Sequence, residues 1–263
     1  MEKIQNGFRF LYRLIIFIAL TIAFLLTSFR IHWRTKDEFE RMDKFSKNGS
    51  FFTKLVCRFF NIKINVINGP AEDKVGLIVG NHMGFIDILV MNSLMPSLFI
   101  TSKEIKETPF LGLLCEMGGC LFVERRSRST INDELSEIIK YLKKGFRVIL
   151  FPEATSTNGE GIFPFKRTLL TAAPLAEVPV QPYCFNYLSI NGEPFNLKYR
   201  NAVCWYGTIT FVEGFFRFSS LKEIVVEVNF LDPVYSKPED DRGKVADGIR
   251  EMIVKKFKPV QLS

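Results

Sequence analysis

Cysteine is scarce in this sequence, and its spacing excludes a zinc or disulfide framework. The five cysteines are Cys57, Cys115, Cys120, Cys184 and Cys204, and no two of them form a Cys-x-x-Cys pair. Most lie in apolar runs, so we predict reduced core residues in a protein that faces the cytosol. The sequence also lacks internal repeats and low-complexity tracts, which excludes a repeat architecture.

Histidine is scarcer still, which narrows the choice of a catalytic base. The chain has two histidines, His32 and His82. His32 lies in a basic segment beside a long hydrophobic stretch. If the protein uses a histidine base, that base is therefore His82.

The composition indicates a membrane partner. Hydrophobic residues make up 47% of the 263 residues and charged residues 24%, and 27 residues are phenylalanine. The chain is too apolar for a disordered protein and unusually apolar for a freely soluble enzyme. The net charge of +7 suits an anionic partner. The basic residues are scattered and the phenylalanines lie in apolar runs, so we predict membrane lipids as partners and no nucleic acid.

Residues 8–29 form the most hydrophobic stretch. Its uncharged part, residues 14–29, covers about 16 residues, whereas a spanning helix needs roughly 20. The longer stretch suffices if Arg9 and Arg13 extend their charges to the membrane surface. No signal-peptidase pattern follows. A spanning helix and a half-inserted helix are both open alternatives.

Residues 50–60 show the pattern of an amphipathic helix, after a polar connection at residues 35–47. The apolar face comprises Phe51, Phe52, Leu55, Val56, Phe59 and Phe60, and the polar face Lys54, Cys57, Arg58 and Asn61. Such a helix lies in the membrane interface or packs on a core, and its neighbouring hydrophobic stretch favours the membrane. We therefore predict an anchor with an amphipathic helix at residues 1–61 and an α/β domain at residues 62–263.

Strand and helix patterns alternate through the second part. Strands are predicted at residues 61–68, 75–79, 98–100, 121–124, 147–151, 178–185, 203–206 and 224–231, and helices at 85–94, 103–117, 130–144 (capped by Ser129), 166–175 and 244–256. This alternation predicts an α/β fold with a mostly parallel or mixed central sheet covered by helices.

The segment from Gly80 to Asp87 contains the strongest chemical signal. His82 follows a buried strand, and Asp87 falls in the first turn of the next helix, so the carboxylate can fold back onto the imidazole. Such a carboxylate fixes the tautomer and stabilises the imidazolium, leaving the other ring nitrogen to accept a proton. A His-x4-Asp pattern alone is more often a loop or capping histidine.

Three later segments strengthen this prediction. One strand ends in Arg125, whose guanidinium matches a phosphate, while Arg126 and Arg128 fit a solvated basic loop. Glu153 follows another strand in a loop rich in hydroxyl groups. A third strand, residues 178–182, contains two prolines.

In this order and spacing, the segments resemble the glycerolipid acyltransferase superfamily, in particular the 1-acylglycerol-3-phosphate acyltransferases. The matching residues are Asn81, His82 and Asp87; Gly119, Phe122, Val123 and Arg125; Phe151, Pro152, Glu153 and Thr155; and Val178, Pro179, Val180 and Pro182. The resemblance covers about residues 75–185. It implies an α/β acyltransferase domain behind a membrane-embedded helical region, with the catalytic domain facing the cytosol.

The resemblance implies acyl transfer from acyl-CoA or acyl-carrier protein to a lysophospholipid, foremost 1-acyl-sn-glycerol 3-phosphate, giving phosphatidic acid. His82 would be the general base and Asp87 its partner, and no metal, other cofactor or covalent acyl-enzyme is implied. The implied substrate-binding residues are Gly119, Arg125, Glu153, Thr155 and Lys166.

Two departures from the family pattern keep other acceptors open. Ala154 replaces the usual glycine, and Ser156 replaces an arginine implicated in phosphate binding. Lysophospholipids with larger headgroups and lyso-ornithine lipid are therefore alternative acceptors. A non-catalytic lipid-binding protein and a thioesterase-like hydrolase are rival functions.

Overall fold

The chain folds into alternating strands and helices, and the computed structural model describes residues 2–69, 76–124 and 131–262. The strands are β1 (Ile62–Ile67), β2 (Leu77–Gly80), β3 (Leu98–Ser102), β4 (Leu121–Val123), β5 (Val148–Leu150), β6 (Val180–Ile190), β7 (Glu193–Pro194) and β8 (Ile224–Phe230). The helices are α1 (Glu2–Arg34), α2 (Glu38–Phe59), α3 (Phe85–Leu94), α4 (Lys103–Lys106), α5 (Leu111–Met117), α6 (Ile131–Lys143), α7 (Ala172–Leu175), α8 (Leu197–Val203), α9 (Phe211–Ser220) and α10 (Arg242–Val254).

One mixed sheet joins these strands in the order β1-β8-β6-β2-β5-β3-β4, with β7 paired to β6. Every pair from β6 to β4 is parallel, and so is the pair of β1 with β8. The pair of β6 with β8 is antiparallel. The predicted α/β fold is therefore confirmed, and β1 lies at one edge of the sheet.

Helices cover both faces of the sheet because alternate strand residues point to opposite sides. Ile78 packs beneath α1, α2, α3, α8 and α9, on what we call the anchor face. Its neighbours Leu77 and Val79 pack beneath α6, α7 and α10 on the opposite face. Helices α1 and α2 are packed onto the α/β domain. The predicted division of the chain between residues 61 and 62 stays a prediction.

Most of the polar segment at residues 35–47 is helical, from Glu38 onward, so its prediction as a connection was wrong for that part. The helix α2 begins at Glu38, and the side chain of Asp37 caps it by accepting the backbone N–H of Glu40 at 2.8 Å. A capping side chain satisfies an N–H group that has no partner within the helix. The turn between α1 and α2 is consequently short, and the two helices pack together.

Arg13 does not extend its charge to the membrane surface, which was the condition for residues 8–29 to be long enough to span a bilayer. Its side chain is 4% exposed, and its guanidinium donates to the carbonyls of Phe60 (2.8 Å), Ser219 (3.3 Å) and Leu221. These carbonyls lie at the carboxyl ends of α2 and α9, where unpaired C=O groups carry partial negative charge. Arg13 therefore joins α1 to the rest of the molecule.

The amphipathic segment forms the last part of α2, and its faces differ from the prediction. Cys57, placed on the polar face, is buried beside Val56. Phe51 and Phe59, placed on the apolar face, are 57% and 39% exposed. The helix therefore packs on the core and still presents aromatic rings at the surface.

Several other elements differ from the predictions. Residues 203–206 are no strand, because they comprise the end of α8 and an extended segment. The helix predicted at 103–117 is divided into α4 and α5, and that predicted at 166–175 is a 3-10 turn followed by the short α7. Strand β6 continues to Ile190, while α8 and α9 had not been predicted. The predicted cap Ser129 lies outside the described residues.

Candidate active site

The candidate site lies where the parallel strands β2 and β5 end. Gly80 ends β2 opposite Tyr183 of β6, whose ring covers the glycine so closely that a Cβ would overlap it. Only glycine fits such a close approach. The chain then leaves the sheet, and residues 81–84 form a loop that leads into α3, which we call the His82 loop.

Asn81 joins the start of the His82 loop to β6 by two hydrogen bonds. Its side-chain amide donates to the carbonyl of Phe185 at 3.0 Å and accepts the backbone N–H of the same residue at 2.8 Å. The side chain thus takes the place of a neighbouring strand where β2 has ended. Asn81 is 1% exposed, which indicates a structural role in directing the loop.

His82 and Asp87 form the predicted pair. The Nδ1 atom of His82 lies 2.9 Å from Oδ2 of Asp87. The Asp87 side chain is fully buried and also accepts the backbone N–H groups of Met83 (2.8 Å) and Gly84 (3.0 Å). As an acceptor at this position, the carboxylate places the ring proton on Nδ1.

The imidazole is held in place and reachable. The ring of His82 stacks on that of Phe151, with 4.1 Å between centroids, and its side chain is 17% exposed. Within the described residues, Nε2 makes no hydrogen bond. This nitrogen can therefore accept a proton from a bound hydroxyl group.

Glu153 holds two loops together. One oxygen accepts the backbone N–H of His82 at 2.8 Å, and the other accepts that of Phe163 at 2.6 Å. The residue is 3% exposed. Burial away from water raises the pKa of Glu153 to about 7, although both N–H groups favour the charged form.

The other predicted substrate-binding residues are spread around and beyond this site. Thr155 and Lys166 are exposed, and the backbone N–H of Lys166 donates to the carbonyl of Pro152 at 2.7 Å. Gly119 lies before β4, at the edge of the sheet away from His82, with a positive φ of 79°. Arg125 lies outside the described residues.

The segment around Trp205 also belongs to the site, and no sequence pattern pointed to it. Its backbone N–H donates to the carbonyl of Met83 at 2.7 Å, and its carbonyl accepts the hydroxyl of Ser156. On the other side, the backbone N–H of Thr157 donates to the carbonyl of His82 at 2.8 Å. The His82 loop is thus held by backbone hydrogen bonds from Thr157 and Trp205 and by the contact of Asn81 with β6.

The structure shows the conformation of Ala154 and the contact of Ser156, the two residues that depart from the family pattern. Ala154 adopts a left-handed conformation with φ of 58°, which glycine accommodates without strain. At the position usually held by arginine, Ser156 directs its hydroxyl to a backbone carbonyl. Within the described residues, no group of three or more His, Cys, Asp or Glu side chains could hold a metal ion.

Comparisons with known proteins identify the family. The family model named Acyltransferase matches residues 63–186. The chain is 31% identical over 204 residues to the lyso-ornithine lipid O-acyltransferase of Brucella abortus, covering 75% of this chain and 76% of that protein. It is 30% identical over 184 residues to the 1-acyl-sn-glycerol-3-phosphate acyltransferase of Neisseria gonorrhoeae, covering 70% of each.

A solved structure has the same fold. The crystal structure of the 1-acyl-sn-glycerophosphate (LPA) acyltransferase PlsC from Thermotoga maritima matches with a TM-score of 0.67 and 20% identity. The match covers 98% of this chain and 96% of that one. The chain therefore belongs to the acyltransferase family.

Proposed function

We propose that this acyltransferase moves a fatty acyl chain from a thioester donor to the free hydroxyl of a lysolipid, with His82 as the general base. One observation carries the proposal: the 2.9 Å contact between His82 Nδ1 and a fully buried Asp87. Two backbone N–H groups fix that carboxylate, so its orientation is set before substrate binds. A base prepared in this way can act on a hydroxyl without a serine or cysteine nucleophile.

The reaction is a direct transfer. The lysolipid oxygen bonds to the thioester carbonyl carbon while its proton passes to Nε2 of His82. Asp87 stabilises the resulting imidazolium. When the carbon–sulfur bond breaks, the sulfur leaves with the bonding electrons and takes the proton from Nε2, which regenerates the neutral base.

We propose 1-acyl-sn-glycerol 3-phosphate as the first candidate acceptor, and acyl-CoA or acyl-carrier protein as the donor. The name of the Neisseria relative supports this acceptor. Arg125 keeps its predicted role of holding the phosphate, and the side chains of Thr155 and Lys166 are exposed near the site. Arginine suits that role because its planar donors pair with two phosphate oxygens at once.

Lyso-ornithine lipid is the second candidate acceptor, and the position of Ser156 favours it. An arginine there would offer donors to a phosphate, whereas the hydroxyl of Ser156 is engaged by the carbonyl of Trp205. The relative from Brucella abortus carries this acceptor in its name. An acceptor without a phosphate loses nothing from the missing arginine.

We propose that α1 lies within one leaflet of the membrane, with the catalytic domain on the cytosolic side. The helix contacts the domain along its length, through Phe10 with Phe216 near one end and through Ser28 with Met117 near the other. Its outward face is apolar and comprises Phe8, Leu11, Tyr12, Ile15, Ile18, Ile22, Leu26 and Trp33, each at least 48% exposed. A helix held to the domain in this way presents one side to the lipid.

The orientation of α1 can be tested with epitope tags at both chain ends. In sealed vesicles, a helix in one leaflet leaves both tags on the same side, open to the same added protease. Protection of the amino-terminal tag alone would show that α1 crosses the bilayer.

The activity is tested with the wild-type protein and His82→Ala on a panel of lysolipids. Product formation with one acceptor identifies that acceptor, and we expect His82→Ala to lower kcat by at least about 100-fold while keeping the fold. Wild-type activity in the variant would refute the base. Free fatty acid without acylated product would favour a hydrolase, and no turnover with either donor would favour a lipid-binding protein.

A further inference from the structure

The helix α9 has an apolar outer surface that the core does not explain. Its inner face buries Phe215 and Phe218, which are 6% and 1% exposed. On the other face, Val212 and Phe216 are 60% and 49% exposed and lie one helical turn apart. Two large apolar side chains side by side on an outer face indicate contact with another apolar phase.

This surface continues that of α1. The ring of Phe216 stacks on that of Phe10 in α1, with 5.0 Å between centroids. About two turns further along α1, the ring centroid of Phe17 lies 4.4 Å from that of Phe215. The exposed stripe of α1 and the outer face of α9 are therefore neighbouring parts of one apolar surface.

The helix α9 also contacts the start of α3, directly after the His82 loop. The ring of Phe218 packs edge-on against Phe85, the first residue of α3, at 5.4 Å. The end of α8 and the segment that leads into α9 lie on Gly84, where an added Cβ would come within 2.8 Å of the carbonyl oxygen of Val203 and 3.2 Å of the backbone nitrogen of Trp205. The same α9 thus contacts both the anchor helix and the residues just after His82.

The charged residues of α9 form a polar border beside this surface. Glu213 and Arg217 lie one turn apart and form an exposed ion pair at 2.6 Å. A helix in the membrane interface places apolar residues toward the acyl chains and charged residues at the level of the headgroups. The neighbouring positions of the two pairs on α9 fit that arrangement.

We propose that α9 lies in the membrane interface beside α1, and that the lysolipid acceptor leaves the bilayer across α9 to reach His82. The inference rests on the proposed function, because it concerns the path of the lysolipid. Along this path the acyl chain stays in contact with apolar residues while its hydroxyl approaches the base. Donor and acceptor then meet at the carboxyl ends of β2 and β5, the acceptor arriving from the anchor face.

The test compares two assay formats with the double variant Val212→Asp/Phe216→Asp. With lysolipid embedded in vesicles, we expect kcat/KM to fall about tenfold or more, because two apolar contacts with the bilayer are lost. With lysolipid in detergent micelles, we expect wild-type activity. The matched control is Leu175→Asp/Val254→Asp, which alters two residues of similar exposure on the opposite face and should match the wild type in both formats.

Wild-type kcat/KM of the α9 variant in vesicles would overturn the inference. Failure of the wild type in both formats would instead reject the proposed function. A second measurement stands apart from activity: Phe216→Trp in vesicles of lipids brominated on their acyl chains. We expect quenching beyond that of the wild type, and none beyond it for Leu175→Trp. Equal quenching of Phe216→Trp and Leu175→Trp would also overturn the inference. This measurement decides the question if the double variant Val212→Asp/Phe216→Asp is inactive in both assay formats.

Discussion

The loops that follow the neighbouring strands β2 and β5 each lead to a buried carboxylate, and the two carboxylates have different partners. After β2, Asp87 accepts the ring N–H of His82 together with two backbone N–H groups. After β5, Glu153 accepts only backbone N–H groups, one of them from His82 itself. In the proposed mechanism, the first carboxylate stabilises the charge of the His82 ring, whereas the second fixes the position of the His82 backbone.

The largest effect should come from changing Asp87, since in the proposed mechanism this carboxylate stabilises the imidazolium of His82. We expect Asp87→Asn to lower kcat by about 10³- to 10⁴-fold, because an amide of the same shape carries no charge and can reverse the ring tautomer. Steady-state kinetics at saturating substrate, with circular dichroism as the folding control, measure this. A kcat within about tenfold of the wild type would remove Asp87 from the chemistry.

A smaller effect is expected for Glu153→Gln, and its form distinguishes positioning from substrate binding. Glutamine can accept one of the two backbone N–H groups but opposes the other, so the His82 loop should shift. We expect kcat to fall about 10- to 100-fold while KM for the lysolipid stays within about twofold. A raised KM with unchanged kcat would restore the predicted role of Glu153 in acceptor binding. The shorter Glu153→Asp should recover part of kcat.

The stability of the protein should also depend on pH through Glu153. Its pKa is about 7 in the folded protein and near the ordinary 4.5 after unfolding, so the folded state binds more protons between these values. The free energy of unfolding should therefore fall by up to about 3 kcal/mol as pH rises from 4.5 to 7. Denaturant unfolding of the wild type and Glu153→Gln at several pH values measures this. Equal slopes for the two proteins would contradict the assignment.

The smallest effect is expected for a change of Ala154, the residue after Glu153. Ala154→Gly should raise the free energy of unfolding by about 0.5 kcal/mol, because relief of the left-handed backbone slightly exceeds the added flexibility of the unfolded chain. Activity should be unchanged. Thermal melting measures the shift, and a lower melting temperature would show that the methyl group of Ala154 makes a packing contact that outweighs the strain.

Local patterns were enough to predict the frame of the molecule. The strand before Gly80 and the helix after Gly84 are visible in adjacent residues, and together they place Asp87 within reach of His82. Helix α3 has the bounds that the sequence predicted. Such features depend on side chains a few positions apart, so one sequence contains the necessary information.

The partners of distant residues could not be predicted in this way. A glutamate after a strand offers no sign that its two oxygens accept backbone N–H groups from residues 82 and 163. The apolar run at residues 203–206 has the composition of a strand, yet it packs across Gly84 as the end of a helix and an extended segment. These outcomes depend on tertiary packing, which overrides local preference.

The hydrogen bonds of the Arg13 guanidinium have a consequence for the order in which the protein assembles. Its acceptors at Ser219 and Leu221 lie 206 and 208 residues further along the chain. During synthesis, α1 emerges before these residues and cannot make the contacts until the chain has been translated past Leu221. We therefore expect the bilayer to hold α1 while the rest is translated, and the finished domain to close onto a helix that is already inserted.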